Sequence, residues 1–181
     1  MNETPMALAL SGISFLMAVI WGPPLLRVLK HFKIGKIIRV EGPHSHISKM
    51  GTPTMGGVMF IAPVVLLTVL LNAASLVGFK VIGRSVLVPL GTLVIFSILG
   101  MIDDWEGVRG SRKGIGMRAR TKFFFQIIIA TVIGFALKYV LDVPEMFWPG
   151  VKFEISLGIF YIPIAIVTIV GFSNAINLTD G

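Results

Sequence analysis

The sequence predicts an all-α membrane protein with several transmembrane passes, and three observations carry that prediction. Apolar runs recur along the chain at the roughly 20-residue length a helix needs to cross the hydrocarbon core of a bilayer. Hydrophobic residues make up 55% of the chain and charged residues 14%, against about 25% charged in soluble domains. The mean hydropathy is +0.88. The chain has no cysteine, which excludes disulfides and thiolate-bound metals. The net charge of +7 reads as basic loops facing anionic lipid and cytoplasm. Nucleic acid is not an expected partner, because no soluble basic domain is present to carry it.

The first run, residues 6–26, is preceded by Glu3 and by no Lys or Arg, and no small-residue cleavage site follows it. It is expected to be a retained span rather than a signal peptide, ended or kinked at Pro23-Pro24. Residues 27–50 are polar. Arg27, Lys30, Lys33, Lys36 and Arg39 alternate with Leu26, Leu29, Ile34, Ile37 and Ile38, a basic amphipathic pattern suited to the membrane face. The glycines and prolines of residues 41–57 exclude a regular helix through the middle of that stretch. Further spans are expected at 56–77, 85–102, 123–141 and 157–176, giving five helices in a single membrane domain over 1–181. Between the fourth and fifth spans, Pro149-Gly150 flanked by apolar residues predicts a small β-hairpin, with Trp148 at headgroup depth.

Loop charges predict the orientation. The 27–50 and 103–122 segments hold six Lys or Arg each, and Lys80, Arg84, Lys138 and Lys152 make four on the other side. The positive-inside rule then places the N-terminus outside, the hairpin in the periplasm and Gly181 inside. Residues 42–57, Asp103-Asp104 and Asp180 are thereby expected at the cytoplasmic ends of their spans, on one membrane face.

Asp103 and Asp104 close the third apolar run. One reading is a stop signal at the water edge. The other is a Mg²⁺ site, since Mg²⁺ is held by one or two carboxylates plus substrate phosphates and relieves the repulsion between adjacent charges. Asn174, Asn177 and Asp180 recur at spacings of three, on one broad face of a helix. That face reads either as the polar end of a span or as a binding surface. The segment from Lys49 to Gly57 offers a cation, the hydroxyls of Thr52 and Thr54, and flexible glycines just before a helix. A turn before a span and a phosphate cradle at a helix N-terminus both fit it. It lacks the Gly-Lys-Ser/Thr of a Walker A motif. His31, His44 and His46 read as solvated.

Three motifs stand in order: Ser45-His46-x-x-Lys49-x-Gly51-Thr-Pro-Thr-Met-Gly-Gly57, then Asp103-Asp104, then Asn174-Ala-Ile-Asn177-Leu-Thr-Asp180-Gly181. Together they resemble the phospho-N-acetylmuramoyl-pentapeptide transferase (MraY) family, within the polyprenyl-phosphate sugar-1-phosphate transferases. The resemblance begins near residue 21 and covers about the N-terminal half of the family's length. It implies a bacterial plasma-membrane enzyme with a cytoplasmic active face. Such an enzyme transfers phospho-MurNAc-pentapeptide from UDP-MurNAc-pentapeptide to undecaprenyl phosphate with Mg²⁺, giving lipid I and UMP for peptidoglycan synthesis. By the same resemblance Asp103 and Asp104 handle Mg²⁺ and activate the lipid phosphate. Asn177 and Asp180 lie near the uridine pocket, and Lys49 and Thr54 lie near the nucleotide. A direct displacement and a route through an aspartyl intermediate both accord with it, and a homodimer is an assembly it permits. Two departures stand out. Gly107 occupies the place where the family often carries Lys, with Arg109 or Lys113 as replacement cations. The chain also stops inside the last motif, so a truncated protein, inactive alone, is expected.

Two other functions compete. One is a related transferase that uses another UDP-N-acetylhexosamine. The other is a transporter or ion-binding subunit, whose acidic groups belong near the membrane midplane; the five span interiors hold none.

Overall fold

The computed structural model describes residues 3–35, 53–76, 84–109, 116–143, 145–146 and 155–179. The helices are α1 (Glu3–His31), α2 (Val58–Leu76), α3 (Leu87–Arg109), α4 (Ala119–Tyr139) and α5 (Tyr161–Thr179), with single 3-10 turns at Arg84–Val86 and Gly158–Phe160. Two short strands, β1 (Glu145–Met146) and β2 (Ile155–Ser156), pair antiparallel between α4 and α5, with Glu145 opposite Ser156 and Met146 opposite Ile155. This is the expected small hairpin; Trp148 and the Pro-Gly turn lie outside the described residues.

Pro5–His31, Leu87–Arg109, Ala119–Tyr139 and Gly158–Thr179 are each long and apolar enough to cross a membrane, and the apolar helix Val58–Ala74 is shorter. Leu8, Phe15, Ile20, Val167 and Phe172 are all more than half exposed. Hydrocarbon is the solvent that tolerates such surfaces. The fold is thus an all-α, multi-pass membrane protein. Pro5, Pro89 and Pro163 each sit at the third residue of their helix, where the missing N–H has no carbonyl to serve within the helix.

Two helices run five or more residues past their expected ends. α1 runs through Pro23-Pro24 to His31, so Arg27 and Lys30 extend a membrane helix and do not open a separate surface segment. Prolines are tolerated inside membrane helices where local adjustments satisfy the freed backbone groups. α3 continues to Arg109, seven residues past the apolar run that ends at Ile102. Asp103 and Asp104 therefore lie within a helix, with about one and a half further turns beyond them. Arg109 in the last turn complements the negative end of that helix.

The chain divides into two compact units. The first joins Met1–Val86 with Leu93–Arg118, and the second joins Leu87–Thr92 with Ala119–Gly181. In the first, α1 packs on α2. Pro63 lies inside α2 and has no N–H for the carbonyl four residues earlier, that of Met59. The indole Nε1–H of Trp21 donates to that carbonyl at 2.8 Å. The neighbouring Gly22 is buried, and a Cβ there would stand 2.6 Å from Met59 Sδ. Trp21 and Gly22 thus lock α1 onto the break that Pro63 makes in α2. Farther along α2, Thr68 Oγ1 donates to Val64 O and Asn72 Nδ2 donates to Thr68 O, so each polar group has a partner inside its own helix.

In the second unit α4 packs antiparallel on α5. Gln126, Ala130 and Gly134, four residues apart, are buried along the seam. A Cβ at Gly134 would lie 3.6 Å from both Ala165 and Ile162, the close approach that small residues allow between membrane helices. At one end Lys138 Nζ donates to Gly158 O at 2.9 Å.

Candidate functional site

Successive residues of an α-helix point about 100° apart, so Asp103 and Asp104 reach in different directions from α3. Both are partly buried. Asp103 Oδ1 accepts the Met117 N–H at 2.8 Å. Asp104 Oδ2 accepts the Met55 N–H at 2.8 Å. Hydrogen bonds to a carboxylate are about twice as strong as neutral ones. One aspartate therefore grips the segment entering α4, and the other grips the segment entering α2.

Both gripped segments are conformationally unusual. Gly116 is left-handed at φ +73°, and a Cβ on it would stand 2.7 Å from Asp103 Oδ1 and 3.0 Å from the Asp103 carbonyl oxygen. Glycine is therefore required there on two counts, backbone angle and space. Met55 is left-handed too, at φ 61°, a conformation that costs a non-glycine residue about 1–2 kcal/mol. The bond to Asp104 helps offset that cost. The Met55 segment is also tied to the end of α1: Thr54 N–H donates to Ile34 O at 3.2 Å, and Gly35 bridges Pro53.

The start of α2 is closed by its own turn. The N–H groups of Val58, Met59 and Phe60 donate to Met55, Gly56 and Gly57 carbonyls, and Ile61 N–H donates to Gly57 O as well. The backbone donors of Val58, Met59, Phe60 and Ile61 are thus occupied within the turn that opens α2. Thr54 supplies a different kind of polar group. Its Oγ1 is buried and has no hydrogen-bond partner among the described residues, which costs about 1–3 kcal/mol if left so.

The other sequence candidates fall as follows. Lys49, Asp180, Lys113, His44 and His46 lie outside the described residues. Arg109 holds its guanidinium 5.0 Å from the Trp105 ring centroid and donates from Nη2 to Phe32 O at 3.3 Å. It ties the end of α3 to the end of α1. A Cβ at Gly107 would lie 3.5 Å from Gly116 N, an ordinary contact. Asn177 is exposed near the end of α5. Asn174 does not share its surroundings: Asn174 Nδ2 donates to Gln126 Oε1 and to Val170 O, each at 2.8 Å. The expected common face of Asn174 and Asn177 is therefore divided between a helix seam and an exposed position.

Sequence reasoning missed Gln126 and Ser173. Gln126, 2% exposed, is the one buried polar side chain among the described residues, and its Nε2 donates to Ser173 Oγ at 3.2 Å. The available signal was a lone amide inside an apolar run, which marks an interhelical hydrogen bond.

Among the described residues, no group of three or more His, Asp or Glu side chains could hold a metal ion. Carboxylate oxygens such as those of Asp103 and Asp104 are the donor type that Mg²⁺ takes, and two carboxylates make only part of its shell.

The fold and this acidic helix end define a multi-pass membrane protein with a carboxylate pair bound to two connecting segments. The chain belongs to glycosyl transferase family 4, whose model matches residues 86–181, more than half of its length. Residues 49–61 match the phospho-N-acetylmuramoyl-pentapeptide-transferase signature 1, the segment whose Met55 N–H is held by Asp104. Curated relatives bear the same name. The protein from Chloroflexus aurantiacus is 40% identical over 180 residues, covering 97% of this chain and 47% of the relative. That from Thermoanaerobacter sp. is 38% identical over 176 residues, covering 93% and 50%. That from Halalkalibacterium halodurans is 37% identical over 171 residues, covering 93% and 50%. The chain thus spans about half the length of these relatives.

Proposed function

We propose that the chain carries part of the active site of a phospho-N-acetylmuramoyl-pentapeptide transferase. In this reading an oxygen of undecaprenyl phosphate attacks the sugar-bearing phosphorus of UDP-MurNAc-pentapeptide. The bond from that phosphorus to the bridging oxygen breaks, UMP leaves with the electron pair, and a lipid-linked diphosphate is formed. The observation that carries the reading is the Asp104–Met55 hydrogen bond, which joins the acidic pair to the middle of the matched signature.

Asp103 and Asp104 are the residues that would hold Mg²⁺. Bound there, the ion would supply charge neutralisation for the diphosphate leaving group. With one oxygen of each carboxylate on a backbone N–H, the pair is kept oriented before substrate arrives, and preorganised charge is the form in which electrostatic catalysis is strongest. Thr54, with its buried hydroxyl, is proposed to meet the substrate or a residue beyond the described ones. Lys49, Asn177 and Asp180 are assigned to the nucleotide end. The site is assigned to the cytoplasmic face of a bacterial plasma membrane, and a homodimer is part of the proposal.

The test uses the product of the whole reading frame, reconstituted with undecaprenyl phosphate, and measures UMP release. Asp103→Asn and Asp104→Asn are each expected to lower it by roughly 10²-fold or more with normal insertion. Wild-type rates in both would refute the assignment. The family match over residues 86–181 is broader than the signature and names no donor, so a transferase for another UDP-N-acetylhexosamine is the second reading. A donor panel decides: turnover with UDP-GlcNAc and none with the pentapeptide donor establishes that alternative.

A further inference from the structure

We propose that Gln126 is a positioning residue, one that sets the rotation of α5 and so the direction in which Asn177 faces. The proposal rests on the reading of Asn177 as a nucleotide-end residue. Both ends of the Gln126 amide are used across the seam: Nε2 donates to Ser173 Oγ at 3.2 Å, and Oε1 accepts from Asn174 Nδ2 at 2.8 Å. Gln126 is also almost wholly buried, at 2% exposure.

Between this cluster and the Lys138–Gly158 hydrogen bond at the far end, the seam is apolar. Ala130 and Ile133 are buried in it, and Gly134 faces Ala165 and Ile162 at van der Waals distance. Such a surface brings the helices close but tolerates sliding and rotation. Hydrogen bonds do not, because they weaken steeply with distance and angle. The Gln126–Ser173–Asn174 cluster therefore selects one rotation of α5. Asn174 is further tied to its own helix through Val170 O, which fixes its rotamer.

Asn177 lies three residues beyond Asn174, about 4.5 Å along the axis and within one turn. It is exposed, and among the described residues no such seam contact holds its direction. A rotation of α5 by about 20° moves a side-chain tip about 5–6 Å from the axis by about 2 Å. A misplacement of about 1 Å at a reacting or binding group can cost roughly 10²-fold in rate. Removing the cluster while keeping the apolar seam is thus expected to leave the helices packed and the site misaligned.

The experiment uses the absence of cysteine from the chain. Arg120→Cys and Leu178→Cys, at exposed positions near the ends of α4 and α5, take two spin labels, and the distance distribution between them is measured in membranes. Gln126→Leu, which replaces the amide by an apolar group of similar size, is expected to broaden the distribution or shift it by about 2 Å, as the rotation estimate requires. Ser173→Ala, which removes one partner of Gln126, is expected to give a smaller change in the same direction. In the whole-frame protein without labels, Gln126→Leu is expected to raise KM for the UDP-linked donor about ten-fold or more, with kcat at saturation changed about two-fold or less. The exchange of Gln126→Asn with Asn174→Gln preserves the reach between these two positions but shortens the reach to Ser173, and is expected to return both readouts to the level of Ser173→Ala. Unchanged distances in both variants overturn the proposal, as does a fall in kcat at constant KM that only tracks the amount folded. A wild-type protein that releases no UMP refutes the proposed function, while the spin-label distances still decide whether Gln126 sets α5.

Discussion

At the residue scale the site depends on two backbone conformations as much as on two carboxylates. Gly116 sits against Asp103 with no room for a Cβ, 2.7 Å from Oδ1, and with φ at +73°. Gly116→Ala is expected to destabilise the protein by about 1–3 kcal/mol and to pull Met117 N–H away from Asp103. The loss is read as a lower Tm in detergent. Gly107→Ala, whose Cβ would meet only ordinary contacts, is expected to leave Tm within about one degree, since substitutions away from strained or crowded positions cost within about 0.5 kcal/mol. Equal losses in both variants would contradict the crowding read at Gly116. The carboxylate pair and the segment around Thr54 were legible in the sequence as residue types. Their bonds were not, because each partner is a backbone N–H on a distant segment, and every residue except proline has one.

At the element scale the helices were legible and their partners were not. An apolar run announces a span, but a membrane helix apolar on all sides does not say which side meets a neighbour. The bond from Trp21 to the Met59 carbonyl freed by Pro63 shows what tertiary packing adds. Trp21→Phe is expected to destabilise α1 on α2 by about 1 kcal/mol, since a part-buried carbonyl is then left without that donor. In a Pro63→Ala background the restored N–H of residue 63 serves that carbonyl, and the same change is expected to cost measurably less. A double-mutant cycle on unfolding in detergent checks this coupling; additive losses would show that the indole contributes packing alone. The spacing of Asn174, Asn177 and Asp180 carries the same lesson. A three-residue spacing indicates a shared broad face, yet Asn174 is drawn into the seam by Gln126 while Asn177 is exposed.

At the scale of the whole molecule, charge asymmetry between loops predicts which ends face the cytoplasm. With no native cysteine, single cysteines report the orientation directly. Arg118→Cys, in the segment entering α4, is expected to resist a membrane-impermeant maleimide in intact spheroplasts. Val143→Cys, exposed beyond the end of α4, is expected to react. The reverse pattern would invert the proposed orientation and move the carboxylate pair to the outer face.

The sequence by itself determined that the chain is a helical membrane protein, and it placed the Asp103-Asp104 pair and the signature segment around Thr54. Composition, run length and residue chemistry are local properties, and these features depend on nothing else. Only the tertiary structure decided that α1 continues past Pro23-Pro24 and that α3 carries the aspartates within a helix. It alone decided that Asp103 and Asp104 hold different segments, and that Gln126 turns Asn174 inward. These outcomes depend on hydrogen bonds between residues remote in sequence, whose geometry no local pattern encodes.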